Sequence, residues 1–163
     1  MGSSLTSTAS TTKSTTKATG TAVGAPDVPE PARQHTNGGA KAFARYYMSV
    51  LNDTDAHPRT GVLKPLALES CKSCKNHQNV VRKLVARSLK FNQRQMAVKY
   101  VSLNGSSELA TFVEIRGYVP KADIVDKDGR PIQSFPEVRD HGLMFELKWT
   151  SNGWRVATIK NVL

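Results

Sequence analysis

No apolar run in this chain approaches the ~20 residues that a membrane-spanning helix requires, so the chain reads as soluble. Acid is scarce: 13 Asp and Glu stand against 23 Lys and Arg, for a formal charge of +10. There are two cysteines, too few for a multiply stapled scaffold or a zinc site closed by thiolates alone. Aromatics make up 7% of the residues, and none lies among the basic residues of 73–90. A base-stacking platform needs such interleaving, which argues against nucleic acid as a partner. No arrangement of nucleophile, base or paired carboxylates reads as catalytic, and nothing calls for a cofactor or a metal. What is present, 163 residues at 39% hydrophobic, suffices for one core and not for two large domains.

The chain divides near residue 34. Thirteen of the first 24 residues are Ser or Thr, and Pro26, Pro29 and Pro31 follow. Such a segment cannot bury enough apolar surface to offset the entropy of ordering, so residues 1–34 read as a disordered tether. It has no apolar core like that of a signal peptide. Its root-mean-square reach would be about 30 Å. Residues 35–163 read as one folded domain.

Within that domain Thr36 suits an N-cap. Ala40, Phe43, Ala44, Tyr47, Val50 and Leu51 then recur at helical spacing, which predicts a helix over 37–53, stopped by Asn52 to Asp55. A short helix is expected from Thr60 to Leu68, with Pro65 near its start. A third is expected over 73–90. At ~100° per residue, Val80, Val81, Leu84, Val85 and Leu89 share one arc, and Lys75, Arg82, Lys83, Arg87 and Lys90 the opposite one. Beyond Gln93 the period becomes two. Leu109, Thr111, Val113 and Ile115 share one face, as do Leu143, Phe145, Leu147 and Trp149. Hairpin or turn signals stand at Asn104-Gly105, Asp128-Gly129 and Asn152-Gly153. Helices followed by turn-linked strands predict an α+β fold, with the helices on one face of an antiparallel sheet.

Three readings of Cys71-Lys72-Ser73-Cys74 compete. A structural disulfide would belong to an oxidising compartment and fix the turn that opens the third helix. A redox pair is suggested by thiols at a helix start beside Lys72 and Lys75, although helices rather than a βαβ unit precede it. A metal site would take His77 as third ligand and need His35, His57 or His141 as a fourth. His77 otherwise falls on the apolar arc as a partly buried histidine. His141 follows Asp140 at the start of a strand, where adjacent side chains point to opposite faces. Residues 64–99 hold nine Lys or Arg against Glu69, a sum of +8. The helical part of this set, Lys75, Arg82, Lys83, Arg87 and Lys90, is either a solvated face or a contact for anionic membrane or wall polymers. Tyr47, Phe112, Glu114, Arg116, Tyr118 and Trp149 are the candidates for lining a pocket. If the face carrying Glu114 and Arg116 is convex instead, they form a surface ion pair of little energy.

Residues His35 to Tyr47, with Val50-Leu51-Asn52, Thr60-Gly61 and Cys71-Lys72-Ser73-Cys74, resemble a family of actinobacterial lipoproteins of unknown function. Phe145 to Trp149 and Asn152-Gly153-Trp154-Arg155-Val156 resemble the last hairpin of the nuclear transport factor two-like (steroid-isomerase-like, cystatin-like) superfamily. The resemblance covers about 34–163. It implies a curved antiparallel sheet around a long first helix, often with a conical pocket. It also implies a Cys71–Cys74 disulfide and a domain anchored by lipid in the cell envelope. Gly2-Ser3-Ser4 suit the positions after an acylated cysteine, with Met1 in its place. Sheets in the superfamily often pair, so a homodimer is allowed. The superfamily's catalytic residues have no counterpart here. The expected function is therefore non-catalytic binding or scaffolding of an envelope protein or small ligand, with a small isomerase- or hydrolase-type pocket enzyme as the alternative.

Overall fold

The computed structural model describes residues 27–93 and 95–163. Two helices, α1 (Asn37–Ala56) and α2 (Lys72–Ala86), precede seven strands: β1 (Lys90–Phe91), β2 (Ala97–Ser106), β3 (Thr111–Val119), β4 (Ala122–Val125), β5 (Pro131–Phe135), β6 (Val138–Thr150) and β7 (Gly153–Val162). The architecture is α+β, as expected. The strands form two antiparallel sheets rather than one, in the orders β2-β3-β6-β7 and β1-β4-β5.

Side-chain alternation sets the register of the larger sheet. Val113 pairs Leu103 and Phe145, and Ile115 pairs Val101 and Leu143. These residues line the inner face, where Val113, Ile115, Phe145, Leu147 and Val156 meet Ala40, Phe43, Ala44 and Tyr47 of α1 in one buried cluster. Each large side chain taken fully from water contributes about 1.5–3 kcal/mol, so this layer dominates the stability of the fold. A smaller cluster of Leu84, Phe91 and Ala122 joins α2 to the second sheet.

Several expected boundaries move. Residues 27–34 belong to the domain rather than to a tether: Val28 and Ala32 are buried, and Glu30–Arg33 form a 3-10 turn against α1. Residues 1–26 lie outside the described part. The first helix runs on to Ala56, because Asn52 does not stop it. Its amide instead bonds both backbone groups of Met96. The helix ends at His57, before Pro58, which disfavours helical geometry in the residue preceding it. Between Thr60 and Leu68 there is only a 3-10 turn, Lys64–Leu66, containing Pro65. The next helix stops at Ala86 rather than 90: Ser88 turns left-handed at φ 52°, and Leu89 N–H reaches back to Leu84 O. Lys90 therefore stands on β1.

Asn104-Gly105 is not a hairpin. It lies inside β2, with Asn104 as the extra residue of a bulge. The chain turns at 107–110, where Ser107 Oγ accepts from Leu109 and Ala110 N–H. Leu109, expected on the buried face, is exposed in that turn. The ladder to β3 continues past the pair, with Gly105 opposite Phe112 and Ser106 opposite Thr111, and this pairing outweighs the local turn signal. Asp128-Gly129 and Asn152-Gly153 turn where expected, with both glycines at positive φ.

Candidate functional site

The six residues expected to line a pocket are divided between the two faces of the large sheet. Tyr47 is buried inside, its ring edge-on to Phe145 at 5.9 Å. Burial pushes its phenol up, and among the described residues its hydroxyl has no hydrogen-bond partner. Phe112, Glu114 and Arg116 lie on the outer face. Arg116 meets Glu114 at 2.6 Å, Asp140 at 3.2 Å and Leu163 O at 3.0 Å. These bonds, with Glu114 first, hold the guanidinium above its ordinary range. This is the surface ion pair of the second reading, and it is worth little in water. Tyr118 donates to Glu137 at 2.8 Å. Trp149 stacks on His35, with centroids 4.5 Å apart and planes within 1°. The space a conical pocket would need is filled by Phe43, Tyr47, Val113, Ile115, Phe145, Leu147 and Val156, all 0–1% exposed.

Of the three readings of the cysteines, the structure has the disulfide: Cys71 and Cys74 are joined and buried. Cys71 is the N-cap of α2, and its sulfur accepts from Cys74 N–H at 3.2 Å. Ser73, inside the loop, accepts from Ile159 N–H at 2.9 Å and ties the helix start to β7. The crosslink thus orients α2 on the sheet.

The packed arc of α2 is narrower than the periodicity predicts. Cys74, Val81 and Leu84 are buried, while Val80 and Val85 on its margins are each 43% exposed. The opposite side carries Lys72, Lys75, Arg82, Lys83 and Arg87, continued by Lys90, all exposed. Arg82 donates to Asn79. Among the described residues none of the six has an acidic partner. The ion pairs sit elsewhere, as in Arg116–Glu114, Arg130–Asp126 and Arg139–Glu137. The domain therefore presents one face of uncompensated positive charge.

His77, on α2, faces Asp55 of α1. Its Nε2 lies 3.3 Å from Asp55 Oδ1, the two not aligned for a hydrogen bond. Burial pushes the Asp55 carboxyl up to about 7 and the His77 imidazole down to about 4. The pair thus holds a single proton across the mildly acidic range. Asp140 and His141 point to opposite faces, and Asp140 serves Arg116.

Two features escaped the residue pattern. One is the clamp of His35, Trp149 and Trp154, with Trp154 Nε1 donating to Gln34 O at 2.9 Å. The Gly-Trp hairpin signalled a turn but not the distant partner. The other is a groove of about 390 Å³ between α1 and β2, lined by Arg45, Ser49, Asn52, Met96 and Val98 among others. No helix among the described residues is long and apolar enough to cross a membrane.

No protein-family model and no curated protein matches the chain. Among solved structures, it is similar to the intermembrane space region of the chloroplast protein ARC6: TM-score 0.61 at 13% identity, covering 79% of this chain and 98% of that one. A putative aromatic ring hydroxylase from Novosphingobium aromaticivorans aligns at TM-score 0.48 and 12% identity, over 76% of this chain and 89% of the other. At such identities the first likeness speaks for a shared fold and not for a shared activity.

Proposed function

We propose that this chain is an extracytoplasmic, lipid-anchored binding domain of the nuclear transport factor two-like type. In this reading the exposed face of α2 holds it against a phosphate-rich anionic envelope surface. The carrying observation is the row Lys72, Lys75, Arg82, Lys83 and Arg87, continued by Lys90 on β1, exposed and without acid partners among the described residues. Unpaired cations on a rigid helix attract an anionic surface by about 1 kcal/mol each when they lie near it. The Cys71–Cys74 disulfide supports an oxidising compartment. The filled interior of the large sheet favours a non-catalytic role over a pocket enzyme. A sheet curved around α1, implied by the sequence resemblance, fits the packing of Phe43 and Tyr47 on β3 and β6.

Sedimentation with vesicles tests this reading. The domain should bind phosphatidylcholine vesicles containing phosphatidylglycerol at low salt, and should release as salt rises. Replacing Lys75, Arg82 and Lys83 with Glu should abolish binding while leaving thermal unfolding unchanged. Equal binding by the triple variant, or no binding by the parent at low salt, would refute the proposal.

A further inference from the structure

The two edges of the large sheet are treated differently. The β7 edge is covered: Leu68 N–H donates to Val156 O at 2.9 Å, Ala67 bridges Val156, and Ser73 Oγ takes Ile159 N–H. On the β2 side one residue is capped. Asn52 Nδ2 donates to Met96 O at 2.8 Å, and its Oδ1 accepts from Met96 N–H at 3.0 Å. The Asn52 amide thus pairs with Met96 as one residue of a neighbouring strand would. Past it, among the described residues, no side chain bonds the backbone of 97–106, although β2 is an edge strand ten residues long. Unpaired edge groups of this kind are a template for an added strand.

Beside this edge runs the groove of about 390 Å³, with Met96, Val98 and Ala56 as its apolar lining and Arg45 and Ser49 on its helical wall. Its charge is one-sided. Arg45 on the helical wall is exposed and has no acid partner among the described residues, and neither has the exposed Lys99, which follows the lining residue Val98 along β2. The one acid of the lining, Asp53, is engaged by Arg59 and by His57. Lys99 is the extra residue of the bulge between Val98 and Tyr100, so it stands out from the regular pleat.

We infer that the α1/β2 groove binds an acidic peptide in extended conformation, which adds to the sheet as a strand beside β2. Alternate side chains of such a peptide would face the groove, where Met96 and Val98 suit apolar residues; those on the rim would meet Arg45 and Lys99. A second copy of this chain suits the edge poorly. It would bring another Arg45 and Lys99, likewise without acid partners among the described residues, to the same place.

The test uses the full chain and a short fluorescent peptide of alternating Glu and Val, with a Lys–Val peptide and an N-methylated Glu–Val peptide as controls. Anisotropy should report binding of the unmodified Glu–Val peptide alone. Amide shifts should concentrate at 45–52 and 97–101, with slowed hydrogen exchange along β2. Arg45→Glu combined with Lys99→Glu should weaken binding about tenfold or more at unchanged thermal stability. Should that pair unfold the protein, Arg45→Gln should still weaken it measurably. Absence of binding, equal affinity for the Lys–Val peptide, or shifts confined to α2 would overturn the inference. So would a dimer in sedimentation whose β2 amides are protected without peptide.

Discussion

Gly39 shows how one residue controls the joint between the N-terminal segment and α1. Thr36 Oγ1 accepts from Gly39 N–H at 2.9 Å, and a Cβ on Gly39 would stand 2.0 Å from Gln34 O. At the neighbouring Gly38 the nearest atom to an added Cβ is 3.8 Å away. Alanine favours a helix over glycine by roughly 1 kcal/mol, so propensity alone predicts that both glycine-to-alanine changes stabilise. Gly39→Ala should instead destabilise by about 1–3 kcal/mol through overpacking, while Gly38→Ala stays neutral or gains; chemical denaturation measures both. The Asp55–His77 pair makes a second residue-scale prediction. The raised Asp55 contributes stability below its unfolded value, lost as pH climbs toward about 7. The lowered His77 contributes above its unfolded value, lost as pH falls toward about 4. Between those limits the two slopes oppose, so the parent protein should show little pH dependence from this pair. His77→Leu leaves Asp55 alone, and stability should then fall with rising pH by up to about 1 kcal/mol per unit. A flat unfolding profile for that variant would refute the assignment.

At the scale of elements, α2 is set by its disulfide-capped start and its left-handed stop. Reduction should cost roughly 2 kcal/mol, because the Cys71–Cys74 loop is short and removes little entropy from the unfolded chain. The loss should appear locally, as faster hydrogen exchange at 72–76 and at Ile159, whose N–H depends on Ser73. Exchange unchanged on reduction would show that packing of Val81 and Leu84 alone orients the helix. Periodicity placed the helix and its basic side correctly, because exposed Lys and Arg must segregate from a buried arc. It overran the C-terminus because no Gly or Pro marks the stop. Ser88 adopts the left-handed turn instead, under the pull of Leu89 toward Phe91 and Ala122. Asn104-Gly105 misled for a related reason: a turn-forming pair within a strand is absorbed as a bulge when the ladder to the neighbouring strand continues past it, here to Ser106 opposite Thr111.

At the scale of the whole molecule, the N-terminal segment closes the domain. Val28 and Ala32 enter the main core, His35 stacks on Trp149, and Gln34 O receives the Trp154 indole. Deleting residues 1–36, with deletion of 1–26 as the reference, should lower stability by about 3 kcal/mol, from lost Val28 burial and one hydrogen bond. Tryptophan emission should shift to the red as Trp149 and Trp154 meet water. Unchanged emission would show that the clamp is dispensable.

Composition and periodicity by themselves determined the fold class, the helix faces, two of three marked turns and the concentration of cations, since these depend on spacing along the chain. The local pattern of the cysteines left three chemistries open, and only their burial and bonding chose among them. Whether Tyr47 and Phe112 share a pocket depends on which sheet face α1 covers, and that was decided by tertiary packing. So were the Asp55–His77 contact, the aromatic clamp across 120 positions of sequence and the difference between the two sheet edges. Each joins residues far apart in the chain, where spacing carries no information about distance.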